Sequence, residues 1–353
     1  MTIKPSADAQ KEIEMQRAAA LLDAGQLVAF PTETVYGLGA DAENPSAIAR
    51  VYALKERPPN HPLIVHLASN ADPAYWIDGA MLRAARALID AFWPGPLTLI
   101  LPRAAHIPAA VSGGQRSIGL RCPAHPLAQA LLNAFNRLGQ MKGAPQRGIA
   151  APSANRFGRV SPTNAQHVRD EFGGQVPVLD GGACAVGIES TIVDLSRSFP
   201  AVLRPGHISA AQIAEALGEV PRAGRDATAG APRASGTLHA HYAPRTPLFL
   251  CAQDEIAHAL KEASARGERL AVLARGNFAE YISQSAAQYA SVHIVGAPSS
   301  PSDYARALYR SLRQLDTLGC TRLLVERLPE APVWAAVNDR LSRAAAAFAG
   351  KHF

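Results

Sequence analysis

At 353 residues, with 48% hydrophobic and 18% charged side chains, the chain is long enough for about two domains that each bury a core, and its composition excludes a disordered or collagen-like protein. No run of about 18 apolar residues offers a membrane span, and residues 1–15 carry Asp8, Glu12 and Glu14 where a secretory signal would be apolar, so a cytoplasmic location is expected. The net charge of +6 favours anionic partners such as nucleotide or RNA, whereas Cys122, Cys184, Cys251 and Cys320 make no CxxC pair and so give neither a zinc site nor a redox dithiol.

Residues 9–24 have helical spacing, with Ile13, Ala20, Leu21 and Ala24 on one face. Residues 27–30 then read as a buried strand that Pro31 ends. Thr32, Glu33, Thr34 and Tyr36 follow at once, ahead of Gly37 and Gly39. That places hydrogen-bonding side chains at a strand end, beside backbone free to turn or to approach a ligand closely. The bland alternative is a strand-to-loop turn that the polar groups merely cap. Residues 45–54 suggest a short helix. It runs into Lys55-Glu56-Arg57 and a proline-stiffened turn through His61-Pro62, then an apolar strand over residues 63–67. A planar guanidinium beside a mobile ammonium suits an anion, although two charges on a turn can equally be a solvated surface.

Residues 81–92 look helical and 97–101 extended. The alternating stretch 117–121 puts Ser117, Gly119 and Arg121 on one strand face, where Arg121 could meet a carboxylate or serve as a surface ion pair. A helix over 126–137 and a polar, glycine-containing insert at 139–148, expected to be mobile, lead into Ala151-Pro152-Ser153-Ala154-Asn155, with Ser161 shortly after. Short strands are predicted at 176–179 and 191–195. Arg204-Pro205-Gly206 ends this sheet, and Ser209 caps a helix over 210–217.

From residue 220 to about 235 the composition turns to Gly, Ala, Pro, Arg and Thr without apolar periodicity, which marks a linker. It runs into His239-Ala240-His241-Tyr242-Ala243-Pro244; the histidine pair has no carboxylate or cysteine nearby to complete a metal site. Beyond it, strands at 248–250, 270–273, 292–295 and 323–326 alternate with helices at 255–263 and 304–318, the pattern of a small parallel α/β domain. Neither a Gly-x-Gly-x-x-Gly turn nor a Walker pattern occurs, and the strand ends of this part show no clustered polar residues, so a structural and gating role is expected for it.

Taken together, Pro31-Thr32-Glu33-Thr34-Val35-Tyr36-Gly37-Leu38-Gly39, Lys55-x-Arg57, His61-Pro62-Leu63, Arg121-x-Pro123-x-His125-Pro126, the Ala151–Asn155 stretch, Gly187-Ile188-Glu189-Ser190-Thr191 and Leu203-Arg204-Pro205-Gly206 resemble, in this order, the YrdC-like L-threonylcarbamoyladenylate synthases. His241-Tyr242-Ala243-Pro244 and the α/β part after it resemble the longer, two-domain form. Val337-Asn338-Asp339-Arg340-Leu341 is similar to that form's Asn-Arg-Leu signature with an Asp inserted. Two departures stand out: residues 234–238 lack the proline and lysine frequent before His-Tyr-Ala-Pro, and the 139–148 insert lengthens a usually shorter loop.

The resemblance implies an α/β fold with a mixed open sheet around a concave pocket over residues 9–219. A linker or lid at 220–245 would follow, and then a smaller Rossmann-like parallel domain over 246–353. It also implies that L-threonine, bicarbonate and ATP give threonylcarbamoyl-AMP and pyrophosphate. The product would serve a downstream tRNA threonylcarbamoyl transferase that modifies the adenosine next to the anticodon. Carried over by motif, Thr34, His66, Arg121, Ala151 and Ser190 would hold threonine. Arg57, His61, Ser117, Ser153, Asn155, Ser161, Arg204 and Tyr242 would line ATP, and Lys55 with Arg57 would face the phosphates in catalysis. Mg²⁺ is expected with ATP, with no protein ligand identified. Two other readings remain at this stage. A carbamoyl-adenylate-forming maturation factor would need CxxC pairs and an acylphosphatase-like segment that the chain lacks. An RNA-binding module would account for the charge but not for Thr34, Arg121 and Ser190 together.

Overall fold

The structure, a computed structural model, describes residues 7–78, 82–286 and 292–350; the first residue of the helix expected at 81–92 and the chain ends lie outside them. Two compact units are present. One holds the chain up to Phe157, Pro162–Ala185 and Glu189–Ser235; the other holds Gly158–Ser161, Val186–Ile188 and the chain from Gly236 onward.

The first unit runs α1 (Ala7–Asp23), β1 (Val28–Phe30), β2 (Gly37–Asp41), α2 (Pro45–Lys55), β3 (Ile64–His66), α3 (Leu82–Phe92), β4 (Leu97–Pro102), β5 (Ser117–Arg121), α4 (Pro126–Met141), β6 (Ile149–Ala150), α5 (Ala165–Phe172), β7 (Thr191–Asp194), β8 (Ala201–Arg204), α6 (Ala210–Leu217) and the short α7 (Gly224–Thr228). Its strands form one mixed sheet in the order β1-β2-β6-β3-β5-β4-β7-β8. The β3–β5 and β4–β7 pairs are parallel and the others antiparallel. Both faces are buried. Phe30, Val28 and Ile149 pack with Leu22 of α1 and Leu131 and Phe135 of α4, while Leu38, Val65, Leu99 and Leu120 pack with Val51 of α2, Leu88 of α3 and Val168 of α5.

Several predicted elements change on this frame. Gly37 and Gly39, read as backbone free to turn or to approach a ligand closely, lie in β2. A Cβ on Gly39 would come within 2.9 Å of both the Phe30 ring and Ile149, so glycine here serves core packing and not a turn. The strand expected at 176–179 is reduced to a single parallel bridge, Ala29 to Val178. Helix α4 continues to Met141 and absorbs the start of the 139–148 insert. The rest of that insert is pinned: Gln146 exchanges bonds with the Asp72 backbone at 2.6 and 3.0 Å, and Arg147 pairs with Asp41 and Asp23 at 3.1 and 3.3 Å.

The second unit contains β9 (Leu248–Cys251), α8 (Gln253–Arg266), β10 (Leu270–Arg275), α9 (Gly276–Ala286), β11 (Val292–Ala297), α10 (Pro301–Asp316), β12 (Arg322–Glu326) and α11 (Ala335–Ala346). Its sheet has the order β11-β10-β12-β9 and is parallel throughout. Leu270, Val272 and Leu324 pack with Ile256 and Leu260 of α8 and Ile282 of α9. The connection from β11 back to β12 reverses direction across the sheet, so right-handed crossover sends α10 to the opposite face.

Candidate active site

In the first unit, polar side chains converge at the ends of neighbouring strands. Thr32 builds the turn after β1: its hydroxyl accepts from the backbone N–H groups of Thr34 and Val35, both at 3.2 Å, and donates to the Val35 carbonyl at 2.6 Å. That turn aims Glu33 and Thr34 at Arg121. The Arg121 guanidinium reaches Glu33 Oε1 at 2.5 Å, Thr34 Oγ1 at 2.8 Å and the Gly95 carbonyl at 3.3 Å, while Glu33 Oε2 accepts from the Ala124 N–H at 3.0 Å. Arg121 sits beside His66 in the β3–β5 register and beside Thr98 in the β4–β5 register. Thr98 and Ser190 share a hydroxyl–hydroxyl bond of 2.8 Å. Ala151, just after β6, donates its N–H to the Ile64 carbonyl at 2.9 Å and lies against Gly37.

His66 is 4% exposed, and burial, with the Arg121 charge adding to it, pushes its pKa down to about 3. The imidazole is therefore neutral at physiological pH, with Nδ1 3.2 Å from the Ile64 carbonyl. The predicted threonine set Thr34, His66, Arg121 and Ser190 is thus brought together, with Ala151 on the adjoining strand. Sequence reasoning named Glu33 only as part of a motif and missed Thr98. Its signal was the period of two in Leu97-Thr98-Leu99, which sets Thr98 apart from its apolar neighbours.

The Lys-x-Arg pair owes its geometry to the end of α2. Glu56 adopts φ 54°, and the Arg57 N–H returns to the Tyr52 carbonyl at 2.9 Å, which turns the chain sharply between the two cations. The buried Lys55 ammonium donates to the Ser153 carbonyl at 2.6 Å and to the Asn155 carbonyl. Burial, with Arg57 adding to it, holds its pKa well below the ordinary lysine range. Lys55 therefore clamps the Ser153–Asn155 loop from beneath. Arg57 donates to the Pro62 carbonyl at 2.9 Å and stacks over Phe157, whose ring also meets His61 at 5.3 Å. Arg204 donates to Ser190 and, at 2.8 Å, to the Ser235 carbonyl.

Residues 233–235 lie across this side of the unit. Arg233 bonds to the Asn60 and Gly113 carbonyls and exchanges two bonds with Gln115, and Ser235 Oγ donates to the Pro62 carbonyl at 2.9 Å. Together with Ser117, Gly119, Thr98 and Ile192 they line a cavity of about 10 Å³. Ser161 and Tyr242 belong to the second unit. There Ser161 is fully buried with Arg313 donating to its carbonyl at 3.4 Å. Tyr242 adopts φ 61°, stacks its ring against Arg340 and Tyr309, and donates its hydroxyl to the Gly236 carbonyl at 3.3 Å.

Comparison with known proteins agrees with this architecture. Residues 20–206 match the Sua5/YciO/YrdC family, described as "Telomere recombination", and residues 208–346 match "Threonylcarbamoyl-AMP synthase, C-terminal domain". The threonylcarbamoyl-AMP synthase of Bacillus subtilis is 37% identical over 337 residues, covering 94% of this chain and 93% of that protein. That of Pyrococcus abyssi is 33% identical, covering 95% and 94%. The crystal structure of P. abyssi Sua5 complexed with L-threonine superposes with a TM-score of 0.82 over 95% of this chain and 94% of that one, at 33% identity. The strand-end cluster thus stands in a chain similar along nearly its whole length to these enzymes, and the chain belongs to the two-domain threonylcarbamoyl-AMP synthase family.

Proposed function

We propose that this chain joins L-threonine, bicarbonate and ATP into threonylcarbamoyl-AMP with release of pyrophosphate, the activated donor from which a tRNA transferase modifies the adenosine next to the anticodon. The observation that carries the site assignment is the buried group of Arg121, Thr34, His66, Thr98 and Ser190 at adjoining strand ends. A guanidinium has five N–H donors, and protein groups engage three of those on Arg121. Its remaining donors take the threonine carboxylate, and the Thr98–Ser190 hydroxyl pair and neutral His66 border the rest of the amino acid. A neutral imidazole does not repel the amine, which must lose its ammonium proton before its lone pair adds to the carbonate carbon. Water then leaves to give a carbamate. A carbamate oxygen attacks the α-phosphorus of ATP, and the bond to the β-phosphate oxygen breaks as pyrophosphate departs.

Catalysis in this reading is positioning and charge stabilisation, with no covalent enzyme intermediate. Arg57 and Arg204 supply the cationic side of the nucleotide site, His61, Ser117, Ser153 and Asn155 its lining, and Lys55 acts chiefly by fixing the Ser153–Asn155 backbone. Among the described residues no group of three or more His, Cys, Asp or Glu gathers to hold a resident ion, so Mg²⁺ would arrive on the ATP phosphates as part of the substrate. Residues 220–245 act as a lid that keeps water from the mixed anhydride.

The test is pyrophosphate release by purified protein with and without L-threonine and bicarbonate. Release that needs both substrates is expected. ATP turnover indifferent to threonine would overturn the reading.

A further inference from the structure

The second unit contains a polar cluster that the synthase chemistry does not use, at the place where parallel sheets commonly hold ligands. In the order β11-β10-β12-β9, the crossovers after β9 and β10 run one way along the sheet and the crossover after β11 runs back, so a topological switch point lies at the carboxyl ends of β10 and β12. Arg275 ends β10 and Glu326 ends β12. Glu326 is 2% exposed and accepts from the Arg275 N–H at 2.7 Å, the Arg275 guanidinium at 3.1 Å and the Gln253 amide at 2.9 Å. This corrects the expectation that the strand ends of this unit carry no polar cluster: its members lie at least 22 residues apart in the chain, so only the sheet gathers them.

Two buried donors here have no hydrogen-bond partner, Arg275 Nε and Tyr304 Oη. Tyr304 is 1% exposed, its ring meets Trp334 edge-on at 5.7 Å, and its hydroxyl lies in the field of both Glu326 and Arg275. Arg275 lies over the same Trp334 ring. Buried donors without acceptors are costly, and proteins leave few of them. On the other side, Gln253 continues into an open groove of about 500 Å³, formed with Asp254 and Ala257 of α8 and Asn277, Phe278 and Tyr281 of α9. Phe278 and Tyr281 stack there at 6.4 Å.

We propose that this crevice binds a neutral, planar nucleobase or nucleoside. Charge decides the class. Arg275 and Glu326 neutralise one another, so the spare donors call for an uncharged acceptor such as a ring carbonyl or ring nitrogen. Asp254 and Glu255 in the first turn of α8 disfavour a phosphate at that helix end. The Phe278–Tyr281 pair offers an apolar wall for a flat ring, and the Asp254 carboxylate accepts from an exocyclic amine or a ribose hydroxyl.

The experiment is equilibrium dialysis of the full chain with adenosine, guanosine, cytidine and uridine in turn, in the presence of a saturating non-hydrolysable ATP analogue that occupies the first unit's nucleotide site. At least one nucleoside is expected to bind under these conditions. Its affinity is expected to fall about tenfold in Tyr304→Phe, which removes one hydrogen bond and little volume, and to fall in the surface variant Asp254→Asn, with pyrophosphate release unchanged in both. If Tyr304→Phe proves unstable, Asp254→Asn and Tyr281→Ala, both on the groove surface, decide alone. Displacement by the ATP analogue, equal affinity in all variants, or no binding of any nucleoside would each overturn the proposal; the unpartnered donors would then be met by water.

Discussion

Glu33 decides how Arg121 can act. The carboxylate neutralises the guanidinium before any substrate arrives and, through the Ala124 N–H, ties the β1–β2 turn to the chain after β5. Removing the arginine therefore does two separable things. If Arg121 pairs with threonine's carboxylate as proposed, Arg121→Ala should cost about 2–5 kcal/mol in kcat/KM for threonine, read from pyrophosphate release at varied threonine. It also leaves Glu33 charged and buried, with an expected cost of about 3–5 kcal/mol in urea unfolding. The double variant Arg121→Ala/Glu33→Gln should recover part of the stability and none of the activity. Recovery of both would mean that Arg121 only compensates Glu33. His66 makes a pH prediction at the same scale. Its folded pKa of about 3 lies below the unfolded value near 6.5, so between those two values the unfolded chain binds the extra proton. Its contribution to stability is complete above about pH 6.5 and is lost as pH falls, at up to about 1.4 kcal/mol per pH unit. Urea midpoints at pH 7 and pH 5 should therefore differ more in the wild type than in His66→Gln.

At the scale of elements, β2 is the strand whose sequence most misleads. Gly-Leu-Gly, after the polar run Thr32 to Thr34 and Tyr36, reads as backbone free to turn or to approach a ligand, yet it pairs with β1 and β6, and Phe30 and Ile149 occupy the space where a side chain on Gly39 would stand. Gly39→Ala forces a methyl against both neighbours and the Val28 carbonyl, and a cost of about 1–3 kcal/mol is expected from thermal or urea unfolding. A wild-type midpoint would show that β2 shifts freely. The same contrast explains what was legible elsewhere. α2, α6 and the strands β3, β4, β5 and β7 announce themselves by apolar period, and α6 also by its Ser209 cap, which forms a full capping box with Gln212. Helices α5, α9 and α11 went unread. α5 has low hydropathy, α9 begins on Gly276, which as a residue disfavours a helix, and α11 follows a Trp334 cap that makes no side-chain bond. In the site, residues within one motif could be read together. Thr98 and the Glu33–Arg121 pair depend on register between strands distant in sequence, which no local pattern encodes.

At the scale of the whole molecule, the stretch between the sheets is more ordered than its composition suggests. Arg233 and Ser235 hold it to carbonyls of the first unit, including Asn60 and Pro62 beside His61. The next residue, Gly236, is held within the second unit by the Tyr242 hydroxyl. Tyr242 maintains this from a left-handed backbone conformation that is unusual for a large side chain, a strain of about 1–3 kcal/mol that its packing against Arg340 and Tyr309 must offset. Specific contacts at both ends of this segment support the lid role proposed for it. Tyr242→Ala removes the ring contacts and the Gly236 bond at once. Weaker ATP binding is expected, and in a single turnover the bound threonylcarbamoyl-AMP should decay faster, read as AMP formed per intermediate made. Tyr242→Phe keeps the ring and loses the long hydrogen bond to Gly236, so it should stay closer to wild type than Tyr242→Ala in both measurements. If Tyr242→Ala leaves ATP affinity and intermediate lifetime unchanged, residues 220–245 are a tether and the site excludes water by other means.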